Sequence, residues 1–231
     1  MCAHFLTTIA YDKGYFFLRY LENTVGRKHF DAFLTRYFDE HAFRSNHTEA
    51  FLAYMRNNLF EHYNIDLIPD LDEWIYGEGL PSSMPYVLSE RFNLVDKSLE
   101  IWQSNKDIVA LNTGSWSTFE WLHFIRNLPD STTNEDLKVL DDAFDLTESN
   151  NSEILGLWLV RAVRCWYDRA FPKLRAFLTR TGRRKFLMPL YSELVKTDRG
   201  KALAVDMYRT ARPNHPCVAP NSMYRLLDYP A

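Results

Sequence analysis

Glycine is scarce in this chain, with only eight in 231 residues, so few backbone positions are free to take left-handed geometry. Cysteine is scarcer still. Cys2, Cys165 and Cys217 lie far apart with no Cys-x-x-Cys spacing, which excludes a disulfide framework and a thiolate metal site and fits a reducing cytoplasm. No run approaches the roughly eighteen apolar residues of a membrane span, and no cationic segment followed by an apolar run opens the sequence. Excess positive charge is absent too: the net charge is −3 without a basic block, so neither nucleic acid nor an anionic membrane surface is an expected partner. Convincing apolar/polar alternation is missing, and Val87 to Leu88 and Ile108 to Leu111 are too short to be more than local extended pieces, the second able to begin a helix.

Large rings are plentiful, at 15% aromatic residues. They recur at helical spacing. Thr8 to Val25 carries a stripe of Ile9, Phe16, Phe17, Tyr20, Leu21 and Val25, ended by Gly26. Arg27 to Phe43 turns Phe30, Phe33, Leu34, Tyr37 and Phe38 inwards, and Thr48 is the expected cap of a helix reaching Phe60. Turn formers crowd Ile65 to Pro85 around one amphipathic piece, Leu71 to Tyr76, and mark a boundary between units. Beyond it, short helices are predicted over about 90–103, 117–128, 134–146, 152–165, 169–181, 184–196 and 201–211. Ser131, Thr132 and Thr133 precede one as candidate caps, and Ser152 with Glu153 opens another. Four-residue connections suit stacked antiparallel pairs, so the fold class is all-α.

Few residues announce chemistry by type alone. Tyr11 on an amphipathic helix is ordinarily a core residue, and Arg183 and Lys185 beside Gly182 are ordinarily solvated. Trp116, Trp121, Trp158 and Trp166 at helical positions build a core rather than a ligand cage. Asp141, Asp142, Asp145 and Glu148 read as a solvated acidic face. No His-Glu-x-x-His pair exists, since His41 and His47 are six apart and Glu61-His62 lacks a second histidine.

Local strings add what residue types do not. Ala10-Tyr11-Asp12-Lys13-Gly14, followed by Phe16-Phe17-Leu18-Arg19-Tyr20-Leu21-Glu22, resembles the tyrosine helix of zinc aminopeptidases related to leukotriene A(4) hydrolase. Trp74-Ile75-Tyr76-Gly77-Glu78-Gly79-Leu80-Pro81 resembles the segment that closes their catalytic domain. Asn150 to Ile154 and Gly182-Arg183-Arg184-Lys185-Phe186 with Pro189-Leu190 resemble their C-terminal helical domain. The resemblance implies the helical end of a thermolysin-like catalytic domain over 1–76, a linker over 77–89, and an armadillo/HEAT-like superhelix over 90–231. It further implies an aminopeptidase in the complete protein, with Tyr11 stabilising the oxyanion of peptide hydrolysis and Arg183 and Lys185 binding a substrate carboxylate. The family's zinc motif lies before the tyrosine helix, so zinc is expected in the full-length enzyme, none on this chain alone, and a separate zinc-binding module and a peptide are the expected partners. Asp12 and Lys13 are expected to complement the helix dipole and face solvent or a local ion pair. Leu6, Ala3 and the lack of a tyrosine shortly before Tyr11 depart from the pattern, so lipid epoxide hydrolysis does not follow. The rival expectation is a non-catalytic helical scaffold whose first helices expose a broad apolar face.

Overall fold

The computed structural model describes residues 8–65, 71–85, 89–214 and 220–228. Ala3, Leu6, Cys2, Cys217, His4, His215 and the Val87–Leu88 piece lie outside them. Among the described residues there is no strand, and no helix is long and apolar enough to cross a membrane. The chain divides into two compact units, 1–88 and 89–231.

Unit 1 consists of α1 (Thr8–Val25), α2 (Arg27–Glu40), α3 (Thr48–Met55), a π-helical turn (Arg56–Glu61) and α4 (Leu71–Ile75). Phe17, Leu21 and Val25 recur every fourth residue on α1, so one seam of that helix is buried, against Phe30, Phe33, Leu52, Met55, Leu59, Phe60 and Trp74. Gly26 joins α1 to α2 at φ +81°, a backbone setting that any side chain would strain. Four expectations need correction. Phe38 is exposed rather than inward, and α2 stops at Glu40, short of Phe43. The cap of α3 is His47, whose backbone is still extended, while Thr48 is already helical. Lys13 does not face solvent or an ion pair: its ammonium donates to the carbonyls of Gly77 at 2.7 Å and Glu73 at 3.3 Å, at the end of α4, where helix carbonyls lack internal donors.

Unit 2 contains α5 (Glu90–Asn105), α6 (Thr118–Arg126), α7 (Asn134–Phe144), α8 (Ser152–Arg164), α9 (Phe171–Arg180), α10 (Arg184–Leu194), α11 (Asp198–Ala211) and α12 (Pro220–Leu227). Helix α6 packs on α8, α8 on α10 and α10 on α12, while α9 packs on α11, so alternate helices stack in layers as in an armadillo-like array. The Ile108–Leu111 piece resolves as a 3₁₀ turn over Val109–Leu111. Thr133 caps α7 in a reciprocal box with Asp136, but α8 is capped by Asn151 rather than Ser152.

Trp158 is fully buried, and Trp116, Trp121 and Trp166 are half-buried with aromatic neighbours. Asp142, Asp145 and Glu148 are exposed as a solvated acidic face requires, but Asp141 is an exception. It is buried, accepts from the backbone N–H of Thr147 at 2.7 Å, from its hydroxyl at 2.8 Å and from the phenol of Tyr167 at 3.0 Å, while Trp158 donates to Thr147 Oγ1 at 3.0 Å. A buried carboxylate survives only with such donors. Arg161 is likewise buried and closes the end of α6, donating to the carbonyls of Ile125, Arg126 and Leu128.

Candidate functional site

In unit 2 the cationic residues singled out from sequence come together at the start of α10. Arg183 occupies the N-cap position, Arg184 and Lys185 the first turn, and that turn carries no acidic residue and no side-chain cap. A helix N-terminus presents unpaired N–H groups and a positive dipole end, so three cations there oppose ordinary helix electrostatics. Pro189 inside α10 further removes the N–H that would bond the Lys185 carbonyl. The turn therefore concentrates positive charge without an acidic residue of its own to answer it.

What orients two of these cations is Phe186. The Arg183 guanidinium lies 5.8 Å and the Lys185 ammonium 5.5 Å from its ring centroid, both within reach of a cation–π contact. The ring is itself held in place: it stands edge-on to Phe177 at 5.6 Å, and a Cβ on Gly156 of α8 would meet its Cδ1 at 2.9 Å. Gly156 is therefore the small residue that lets Phe186 seat against α8, and the seated ring lies within cation–π reach of both cations. Arg184 is exposed.

The two cations differ in their partners. Lys185 Nζ donates to Glu153 Oε1 at 2.6 Å. Among the described residues Arg183 has no carboxylate partner. Glu153, Lys185 and Phe186 line a pocket of about 140 Å³ between α6, α8 and α10, with Leu122, Leu157 and Pro189 supplying apolar wall. Residue type and spacing assign Glu153 no role beyond opening its helix. Nothing local links it to a lysine 32 residues away.

Tyr11 belongs to unit 1. It is 69% exposed, and among the described residues its hydroxyl has no hydrogen-bond partner. Tyr15 and Leu18, one and two turns along α1, are exposed beside it. Since α1 begins at Thr8, Lys13 lies in its second turn, about 200° around the helix from Tyr11. Its bonds to the Glu73 and Gly77 carbonyls tether that opposite flank and fix the roll that leaves Tyr11 outward. No three His, Cys, Asp or Glu side chains gather to hold a metal ion among the described residues, so those present do not fit the zinc that the resemblance implies.

Two family models match. "Leukotriene A(4) hydrolase, C-terminal" covers residues 116–225 and "Peptidase family M1 domain" covers 2–74. The chain belongs to peptidase family M1. Family M1 relatives include leucine aminopeptidase 2 of Emericella nidulans, 31% identical over 218 residues, covering 85% of this chain and 33% of that protein. Leucine aminopeptidase 2 of Ajellomyces capsulatus is 27% identical over 216 residues, covering 86% of the chain and 33% of the relative. Aminopeptidase B of Mus musculus is 27% identical over 214 residues, at 86% and 34%. The chain thus spans about a third of the length of the curated relatives it matches. Among solved structures, yeast leukotriene A(4) hydrolase in complex with bestatin superposes with a TM-score of 0.82 at 21% identity, covering 96% of this chain and 39% of that one. That likeness is one of fold. Tyr11 falls within the M1 match, and Glu153, Arg183 and Lys185 within the C-terminal match.

Proposed function

We propose that this chain is the C-terminal part of a zinc-dependent aminopeptidase that removes N-terminal residues from short peptides. Residues 1–76 would be the helical end of its catalytic domain and 90–231 its C-terminal helical domain. The observation that carries the reading is the start of α10, where Arg183 and Lys185 both approach one fixed ring with no acidic residue in the turn. Such a turn is suited to a carboxylate, the group at the far end of every short peptide, because a guanidinium can donate two parallel hydrogen bonds to its two oxygens. Tyr11 has the complementary role. When a peptide carbonyl is attacked, negative charge grows on its oxygen, and a phenol whose O–H has no protein partner among the described residues can donate to it by giving up only water. Lys13, by fixing the roll of α1, is the residue that would keep that phenol aimed.

The test is a chimera in which this chain replaces the matching third of leucine aminopeptidase 2 from Emericella nidulans. The expected result is an active enzyme in which Tyr11→Phe lowers kcat by about a hundred-fold or more. Arg183→Ala should raise KM for tripeptides and leave an aminoacyl anilide, which has no carboxylate, unaffected. A folded, active chimera indifferent to Tyr11→Phe would overturn the assignment of Tyr11.

A second reading, a non-catalytic helical scaffold, is favoured by the exposure of Tyr11, Tyr15 and Leu18 along one strip of α1. It predicts a chimera that folds but is inactive, and in which Tyr11→Phe changes nothing.

A further inference from the structure

The asymmetry between the two cations at the start of α10 carries a consequence for selectivity. Lys185 is engaged by Glu153, and Arg183 by no carboxylate among the described residues. Both members of the pair line the pocket between α6, α8 and α10, so the contact is made at the pocket wall and not on a remote surface. Glu153 stands in the first turn of α8, where a carboxylate is favoured by the helix dipole. Lys185 stands in the first turn of α10, where a cation is disfavoured, and the α8 carboxylate therefore relieves the α10 turn. An incoming carboxylate can reach Arg183 without a competitor, but at Lys185 it must displace Glu153 and then lie beside its negative charge.

Resting on the reading of Arg183 and Lys185 as a carboxylate clamp, we propose that Glu153 is a specificity-determining residue of that clamp, an internal carboxylate that competes with substrate for Lys185. It makes Arg183 the first point of attachment. It also admits ligands with a single carboxylate and disfavours those that bring a second negative charge to Lys185. The pair is half-exposed, with side-chain exposures of 56% for Lys185 and 35% for Glu153, so the competition is weak enough for a substrate to win.

The 231-residue chain tests this directly, by titration with the peptide Ala-Ala-Leu and with its C-terminally amidated form, read from amide chemical shifts of the α10 first turn. Glu153→Gln is expected to tighten binding of the acid peptide by up to about fivefold, the worth of an exposed ion pair, and to leave the amide form unchanged. Succinylated Ala-Ala-Leu, with two carboxylates, should gain more than the parent peptide. Arg183→Ala should weaken the acid peptide by about tenfold or more in both backgrounds. Glu153→Asp, whose shorter side chain draws the carboxylate back from Lys185, should reproduce part of the gain, and it answers the question should the glutamine variant fold poorly. If Arg183→Ala weakens binding while neither Glu153 variant tightens it, the role of Glu153 is overturned and the clamp stands. If Arg183→Ala and Lys185→Ala both leave the acid peptide unaffected, the clamp itself fails and the role of Glu153 with it.

Discussion

Tyr11, Tyr15 and Leu18 sit at i, i+4 and i+7 on α1 and are all exposed, whereas Leu155, Trp158, Leu159 and Ala162 sit at comparable spacings on α8 and are all buried. Both helices carry apolar faces that a sequence reads as core. On α8 the whole face is enclosed, because α6 and α10 pack on either side of it. On α1 the enclosed seam is Phe17, Leu21 and Val25, and the neighbouring strip that bears Tyr11 stays open. Periodicity therefore reports that a face exists, and the number of neighbouring helices decides whether it is covered. The open strip coincides with the residue assigned to chemistry and the enclosed one with scaffold, as expected where packing and function compete for the same surface.

The sharpest way to break this contrast is at Trp158, the fully buried centre of the α8 face. Trp158→Ala should cost about 3–5 kcal/mol in urea unfolding, from lost burial and the cavity left behind. A cost below about 1 kcal/mol would mean that α8 is not enclosed as described. Next in size is Lys13→Met, which leaves the carbonyls of Glu73 and Gly77 without their cationic donor and should lower stability by about 1–2 kcal/mol. Amide exchange should quicken at 71–77 and not in residues 89–231. Exchange spread over both units would show that Lys13 is not a local tether.

Glu120 sharpens the comparison through pH. It is buried at the start of α6, where the Ser117 hydroxyl, then the Arg91 guanidinium, hold its carboxyl down at about 2 from the ordinary 4.5. A carboxyl held low in the folded protein contributes stability that is present above pH 4.5 and drains as pH falls towards 2. Glu120→Gln should be less stable than the parent at neutral pH, and the gap should close across that window in acid titration of unit 2. A gap that is constant with pH would refute an origin in the charged carboxylate and the donors that hold it. Smallest of all is Leu18→Ala on the open strip of α1, 38% exposed, which should change stability by no more than about 0.5 kcal/mol.

Much of this architecture is legible in the chain's own residue pattern. Both ends of α1 and the starts of α5 and α7 follow from apolar spacing, from Gly26 and from caps such as Thr133, all of which act within a turn of the residue concerned. The caps His47 and Asn151 each fall one position before the residue that the pattern favours. A polar side chain beside a helix start can serve on either side of the boundary, and only the backbone angle shows which residue is still extended. Tyr11, Arg183 and Lys185 are legible as members of strings but not as geometry. That Phe186 comes within reach of both Arg183 and Lys185 depends on Gly156, thirty residues earlier, admitting the ring. Asp141 looks like its acidic neighbours, and its burial arises from Thr147 and Tyr167, which no helical period connects to it.

By itself the sequence determined the helical class, the order and approximate extent of most helices, and the strings that tie the chain to family M1. Helix propensity, capping and turn formation are settled over a few residues, so they can be read from neighbours along the chain. Tertiary structure alone decided which polar groups meet: Lys13 with the end of α4, Asp141 with Thr147 and Tyr167, and Lys185 with Glu153. Those partners are set by how helices stack, and a stacked helix presents to its neighbour residues whose separation in sequence carries no information about their separation in space.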